Sequence, residues 1–292
     1  MAEAGAIGFV CANCGTPEVG KNKLELEECT ACQSVRYCGD KCREEHQELH
    51  NEMCEKRQAE MHDKQLFTQP EGTHRGECPL CFLPLPIDAD KSTFHPCCSQ
   101  IVCRGCDCAN RKSGGGGRCP FCREPAADGD ETQKRLMKRV KAKDPIALKE
   151  MGVKLYNEGD YDTSFEYCTK AAELGDLDAH YGLGCMYWMG EGVQKDEEKY
   201  VYHWEKAAIG GHPDARNNLA FIEAENGNIQ RSVKHLIIAA NLGYEKSMKA
   251  LWGHYSDGDI TKEELEATLR SHQAALDEMK SPERDAAEAA AF

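Results

Sequence analysis

Side chains able to hold zinc occur as eight close pairs within the first 122 residues. A Cys-x2-Cys step lets two thiolates reach one tetrahedral Zn²⁺, and two such steps complete its four ligands. The pairs therefore predict four structural zinc ions, held by two consecutive sets of eight ligands. The first set is Cys11, Cys14, Cys29, Cys32, Cys38, Cys42, His50 and Cys54. The second set is Cys78, Cys81, Cys97, Cys98, Cys103, Cys106, Cys119 and Cys122.

The cysteines are concentrated in the front part of the chain. The sequence has 292 residues, and of its 18 cysteines only Cys168 and Cys185 lie beyond residue 122. Dense cysteines also mark secreted disulfide scaffolds, but the N-terminus lacks the basic and apolar regions of a signal peptide. No run approaches the roughly 18 apolar residues of a membrane span. We therefore expect zinc in a reducing, intracellular compartment, cytoplasmic or nuclear, and no membrane partner.

The charge balance bears on possible partners. The net charge of −14 argues against binding to nucleic acid, which needs a positive surface. One local exception is the basic stretch 134–143, which is either a solvated helix face, with Leu136, Met137 and Val140 turned inward, or an import or nucleic-acid signal. Because it leads into helical repeats, we expect the solvated helix and no nucleic-acid partner.

The first ligand set can be wired in sequence or interleaved. Its spacing, with the Tyr37-Cys38 step and the closing Cys-x7-His-x3-Cys, resembles the MYND finger family over residues 11–54. The resemblance implies interleaved wiring and binding of short proline-containing peptides. One zinc would then take Cys11, Cys14, Cys38 and Cys42, and the other Cys29, Cys32, His50 and Cys54.

The residues give this finger independent support. A segment this short buries too little surface to fold alone, and structural zinc supplies about 10–16 kcal/mol of apparent binding free energy. Residues 40–54 predict a helix with Asp40 as its N-cap and with His50 and Cys54 on one face, where His46 is a packing neighbour. Gln47 stands where the family usually has Trp, so a purely structural finger is the alternative to a peptide-binding one.

The second set resembles a RING finger in an all-cysteine variant, on the strength of CPLC, CRGC and CPFCR. Interleaved wiring would again give two centres. His95, Cys97 and Cys98 are three candidates for two positions; we choose the two cysteines because Cys98 stands five residues before Cys103, as in the family. Cys108 is a spare thiol. The first centre would hold Cys78, Cys81, Cys103 and Cys106, and the second Cys97, Cys98, Cys119 and Cys122.

In RING-type ubiquitin ligases the finger holds a ubiquitin-charged E2 in a reactive geometry, which is catalysis by positioning. The resemblance carries three E2-docking residues onto this sequence: Leu80, Pro120 and Arg123. Arg123 would bridge E2 and ubiquitin through its fan of donors. No Trp is available at the usual E2-facing position, so a RING that only scaffolds is the alternative.

From residue 144 the pattern changes to short amphipathic helices with internal repetition. The step Ala-Ala-x-x-Gly recurs at Ala171, Ala207 and Ala239, spaced 36 and then 32 residues apart. This resembles Sel1-like repeats, which are related to tetratricopeptide repeats. Small residues at fixed positions allow paired helices to approach closely, and about three copies are needed to bury a continuous core.

The sequence thus predicts a multidomain chain: two small zinc-stabilised α+β fingers followed by an all-α helical-repeat solenoid. The function implied is E2 docking by the RING and recruitment of protein partners by the finger and the repeats. A non-enzymatic adaptor is the alternative. The predicted boundaries are 11–54 for the MYND finger, 55–77 for a linker, 78–123 for the RING finger, 124–143 for a linker and basic helix, 144–280 for the repeats and 281–292 for a disordered tail.

Overall fold

A computed structural model describes residues 9–16, 25–115 and 117–290. The chain forms two compact units, Met1–Thr68 and Gln69–Phe292, and each is described here by itself. The predicted class is confirmed: small cysteine-rich modules with short strands precede a long helical array.

The first unit is a short hairpin followed by one long helix. Strands β1 (Glu27–Glu28) and β2 (Arg36–Tyr37) pair antiparallel, and α1 runs from Asp40 to Leu66. The predicted cap is shifted by one position, because Gly39 is the N-cap and Asp40 the first helical residue. The helix also continues well beyond residue 54. Its extension contains neither glycine nor proline, so nothing in it ends a helix before Pro70.

The second unit begins with a segment that packs along the helical array. Gln69 donates a side-chain hydrogen bond to the carbonyl of Ile238 at 3.5 Å, and the amide of His74 donates to the carbonyl of Gly211 at 3.2 Å. A Cβ at Gly211 would lie 2.4 Å from the carbonyl oxygen of Gly72. Residues 69–77 are therefore a docked segment within the predicted linker of residues 55–77.

A small zinc-type module follows. Strands β3 (Ser92–His95) and β4 (Gln100–Cys103) form a hairpin, and α2 (Arg104–Asn110) continues from β4. A short 3-10 turn, Ala89–Lys91, precedes β3, and a turn at Arg111–Gly115 follows α2. The buried core of this module consists of Cys78, Leu85, Val102 and Cys103.

Helix α3 (Gly129–Lys141) contains most of the basic stretch. Leu136 is buried and Met137 and Val140 pack beside it, so the predicted inward face is confirmed. Arg139, one of the basic residues, is not simply solvated, because its guanidinium donates to the carbonyl of Cys97 at 2.8 Å. The basic helix is thus tied to the zinc-type module.

The array is built from antiparallel helix pairs whose helices α4 to α10 each have 13 residues. Aspartate side chains cap four of these helices at their N-termini, each accepting a backbone N–H three residues later. Small residues sit where paired helices cross; Gly184 of α6 lies against the indole of Trp204 on α7. The helices are α4 Pro145–Asn157, α5 Tyr161–Glu173, α6 Leu177–Met189, α7 Glu197–Ile209, α8 Pro213–Glu225, α9 Ile229–Asn241, α10 Glu245–Asp257 and α11 Lys262–Glu278.

The expected disordered tail is instead a helix, α12 (Pro282–Ala289), which packs on α2 of the zinc-type module. Ser281 caps it, and Arg284 and Ala287 are buried. Ser281 and Pro282 favour a helix start here, and the contact with α2, which lies far away in sequence, holds the helix in place. None of the helices among the described residues combines the length and apolar character needed to cross a membrane.

Candidate metal centres

Tight backbone turns bring the paired cysteines together. In four Cys-x2-Cys pairs the residue after the second cysteine has a positive φ, and its amide donates to the carbonyl of the first cysteine at 2.9–3.0 Å. Only one of these residues, Gly15, is a glycine. Left-handed backbone at ordinary residues is costly and persists where surrounding structure imposes it. Residues with this geometry are Gly15, Gln33, Phe82 and Arg123.

In the first unit the close pairs are interleaved, as the resemblance implied: Cys11 and Cys14 lie with the third pair along the chain, and Cys29 and Cys32 lie with the fourth. The sulfurs of one group lie within 4.8 Å of one another, with Cys14 and Cys38 at 3.6 Å and Cys38 and Cys42 at 3.5 Å. Cys38 directly follows β2, and the first turn of α1 supplies Cys42. This group contains Cys11, Cys14, Cys38 and Cys42.

The other group of the first unit uses one turn of α1. His50 and Cys54 are four residues apart on that helix and both are buried. The Nε2 atom of His50 lies 3.4 Å from the sulfur of Cys32, and the sulfur of Cys54 lies 3.9 Å from that of Cys29. His46 lies outside this group: its Nδ1 is 3.0 Å from the hydroxyl of Tyr37, and its ring stacks on that of His50.

The second module holds two groups of four cysteines, again interleaved. In the first, Cys78 and Cys81 come from the opening turn, while Cys103 ends β4 and Cys106 lies on α2. The sulfurs of Cys81 and Cys103 are 3.8 Å apart. The amide of Cys103 donates to the sulfur of Cys78 at 3.5 Å.

The last group consists of Cys97, Cys98, Cys119 and Cys122. Cys122 lies 3.4 Å from Cys97 and Cys98 lies 3.8 Å from Cys119, sulfur to sulfur. His95 lies outside this group, with its Nε2 atom 3.8 Å from Oδ1 of Asp107. Burial lowers the pKa of His95, and the carboxylate of Asp107 opposes that shift.

In three of the groups local hydrogen bonds favour the thiolate form of one cysteine, whereas burial and neighbouring sulfurs raise the pKa of others, to about 11 for Cys54. Burial opposes ionisation of Cys11 and of Cys29, yet neighbouring backbone amides donate to their sulfurs and lower the pKa of each to about 6. A hydrogen bond with Cys103 lowers the pKa of Cys78 to about 4 despite burial. Zinc takes thiolates and imidazole nitrogens at tetrahedral sites. The three all-cysteine groups, and the group of three cysteines and one histidine, therefore fit this ion.

The three E2-docking candidates lie in different environments. Leu80 is half-buried and packs against the core of its module, and Pro120 is buried. Arg123 is exposed, but its guanidinium donates to Oδ1 of Asn110 at 3.0 Å. Two aromatic side chains beside them are exposed: Phe82 is 71% and Phe121 45% accessible.

Sequence reasoning missed Arg284 as a residue of this region. Its guanidinium donates to the carbonyl of Pro84 at 2.8 Å and approaches the sulfur of Cys81 at 3.6 Å. The residue lies about two hundred positions away from these partners, in a stretch of small and charged residues, and no local pattern identifies it.

A fifth group of possible ligands, His74, Asp178 and His212, lies in the second unit. Both Nε2 atoms lie near Oδ1 of Asp178, at 2.9 Å for His74 and 3.5 Å for His212. The two rings stack with centroids 4.0 Å apart and planes 13° apart. The distance of 2.9 Å from His74 to the carboxylate is that of a hydrogen bond, and the ammonium of Lys149 pairs with the other oxygen of Asp178 at 3.5 Å. We therefore interpret the group as a hydrogen-bonded clasp of the segment 69–77.

The comparisons with known proteins identify two of the regions. Residues 11–54 match the MYND finger family. Residues 145–176, 177–212 and 213–244 match the Sel1 repeat family. The chain therefore contains a MYND finger and Sel1 repeats, and both predictions are confirmed. Neither match extends over the second module, so its likeness to a RING finger rests on the cysteine groups alone.

Two solved structures are similar to the chain. A Sel1 repeat protein from Oxalobacter formigenes is 23% identical, with a TM-score of 0.45, over 59% of this chain and 71% of that one. The protein c5321, a protective antigen present in uropathogenic Escherichia coli strains that displays an SLR fold, is 21% identical with a TM-score of 0.40, over 55% of this chain and 35% of that one. No curated protein matches the chain.

Proposed function

We propose that the four sulfur-rich groups each hold one structural Zn²⁺, with the sixteen ligands predicted from the sequence. Support comes from the short distances between their ligand atoms and from their interleaved order along the chain. Four protein ligands on each ion leave no open position for an activated water, so these ions stabilise folds and perform no chemistry. The reducing interior of a cell is the compartment that keeps such thiols available.

We further propose that the second module docks a ubiquitin-charged E2 and that the chain is a ubiquitin ligase. The observation that carries this proposal is the interleaving of two four-cysteine groups in a module this small, beside exposed Phe82 and Phe121. Apolar side chains at such turns can anchor a partner, and Arg123 lies next to the last ligand with donors for E2 and ubiquitin. The module would act by holding the thioester in a reactive geometry.

The flanking regions would then recruit the protein to be modified. MYND fingers and Sel1 repeats both serve protein–protein interaction. The general function that they support is zinc-dependent assembly of proteins, whether or not the chain is a ligase. Under the proposal, ubiquitin moves from the E2 onto a protein held by these two regions.

A non-enzymatic adaptor is the second candidate, and two contacts favour it. Pro120 is buried and therefore offers little surface to an E2. Arg123 donates to Asn110, so bridging to ubiquitin would require it to leave that partner. In this case the module would serve only to position the neighbouring regions.

Autoubiquitination of the purified, fully zinc-loaded chain with E1 and a panel of E2 enzymes tests the choice. Wild type is compared with Arg123→Ala and with Lys112→Ala, which removes an exposed cation from the same module. The ligase proposal expects chains with wild type and Lys112→Ala and a strong loss with Arg123→Ala. Silence across the panel would favour the adaptor, whereas equal activity of all three proteins would refute the role of Arg123 and leave the ligase proposal standing.

A further inference from the structure

The side chain of Arg284 ends at the first cysteine group of the second module. Only 7% of the residue is exposed. One terminal nitrogen donates to the carbonyls of Pro84 at 2.8 Å and Met279 at 2.6 Å. The other lies 3.4 Å from the carbonyl of Leu83 and 3.6 Å from the sulfur of Cys81. The planar fork of a guanidinium can serve several acceptors at once, which an ammonium cannot match.

The backbone of Arg284 also packs closely, against Gly105 of α2. A Cβ on Gly105 of α2 would lie 2.8 Å from the amide nitrogen of Arg284 and 2.9 Å from the carbonyl carbon of Glu283. Those are backbone atoms, so they cannot turn aside as the end of a flexible side chain can. Ser281 caps the helix by accepting the amide of Arg284, and Lys91 pairs with Glu288 at 2.6 Å. Helix α12 is thus held in register over α2.

The expected charge of the zinc centre gives a physical reason for a cation at this position. A Zn²⁺ with four thiolates carries a net charge of −2, and placing that charge in a protein interior is costly without a nearby cation. The ligands Cys78 and Cys103 are buried, at 0% and 1% exposure, so water screens this centre poorly. Hydrogen bonds to zinc-bound sulfur hold the ligands in place and stabilise the thiolate.

We propose that Arg284 belongs to the zinc centre of Cys78, Cys81, Cys103 and Cys106, where it offsets the thiolate charge and fixes the Cys81 loop. The C-terminal helix is then a working part of the second module, and the module retains this zinc fully only while residues 281–290 are docked. The inference rests on the proposed zinc occupancy.

The test measures zinc retention in the full-length protein. Wild type, Arg284→Gln and Arg284→Lys are titrated with EDTA, and bound zinc is counted by native mass spectrometry. Arg270→Gln, which changes an exposed arginine on the preceding helix, is the control. Alkylation mapped by peptide mass spectrometry identifies which cysteines lose their ion, and circular dichroism monitors the helical array.

Neighbours of zinc ligands typically contribute 10–100-fold to metal affinity. We expect Arg284→Gln to lose one zinc at about 10- to 100-fold less chelator, with alkylation confined to the four cysteines of this centre. Arg284→Lys restores the charge without the fork and should fall between Arg284→Gln and wild type. The control should match wild type.

Three results would overturn the inference. Equal chelator resistance of wild type and Arg284→Gln, with four zinc in each, would refute the role of Arg284 while leaving the zinc assignment intact. Joint loss of all zinc and of helicity would make Arg284 a general support of the fold. A wild type without zinc on these four cysteines would refute the occupancy itself, and with it this inference.

Discussion

Replacing Gly184 by alanine should separate close packing from helix propensity in the repeats. A Cβ at this position would lie 2.4 Å from both Cδ1 and Nε1 of Trp204. The indole is 2% exposed and is flanked by the rings of Tyr200 and Trp188, with centroids 5.1 Å and 6.4 Å away. It has no open side toward which to move, so α6 and α7 would have to separate.

The size of the effect follows from two opposing terms. Alanine gains up to about 1 kcal/mol over glycine inside a helix. Forcing extra volume into a packed core costs about 1–3 kcal/mol, and a contact of 2.4 Å against a fixed ring belongs at the upper end. We expect Gly184→Ala to lose about 1–2 kcal/mol net. Gly182, two residues away on the same helix, meets nothing within 4 Å, so Gly182→Ala should gain up to about 1 kcal/mol.

Urea unfolding of both variants, followed by circular dichroism and tryptophan fluorescence, provides the measurement. Repeat arrays do not always unfold in one step, so midpoints of the same transition are compared rather than extrapolated free energies. The expected order of midpoints is Gly182→Ala, wild type and then Gly184→Ala. A Gly184→Ala protein as stable as Gly182→Ala would refute the close approach of the two helices.

Three further predictions concern buried polar groups. Burial lowers the pKa of His235 to about 3, whereas in the unfolded chain this residue takes up its proton near pH 6.5. The free energy of unfolding should therefore fall as pH drops below 6.5, by up to about 1.4 kcal/mol per pH unit, and the urea midpoint should fall with it. His235→Gln should make that fall shallower; an unchanged slope would contradict the assignment. Asp178→Asn should cost about 1–3 kcal/mol and speed hydrogen exchange in residues 69–77, because the carboxylate accepts from His74; unaltered exchange would argue against the clasp. His50→Ala should remove one zinc and leave three by native mass spectrometry, and loss of two would show that the first-unit centres are not independent.

The pairing of side chains in the four cysteine-rich groups could be predicted because it is set by short-range spacing. Two cysteines in a Cys-x2-Cys step, or His50 and Cys54 one helical turn apart, are brought together by local backbone geometry alone. The interleaving of the pairs is long-range, and only the family resemblance indicated it. The repeats were visible for a similar reason: the recurring Ala-Ala-x-x-Gly step marks helix ends that the structure places at Gly175, Gly211 and Gly243, all with positive φ.

The docked segments could not be predicted because their stability comes from partners distant in sequence. Ser281, Pro282 and the alanines that follow favour a helix locally, but nothing local indicates its docking on Gly105 and the carbonyls near Cys81, about two hundred residues earlier. Residues 69–77 are polar and contain Pro70 and two glycines, which favour a loop when considered alone. Tertiary contacts decide the conformation of both segments.

The second module is therefore not an independent domain joined to its neighbours only by linkers. One arginine from each end of the helical array reaches it: Arg139 of α3 binds the carbonyl of Cys97, and Arg284 of α12 binds the loop of Cys81. Each of the two cysteine groups is thus tied to a different end of the array. Any bending of the array would have to move these two contacts relative to each other, and both end beside cysteines of the candidate metal groups.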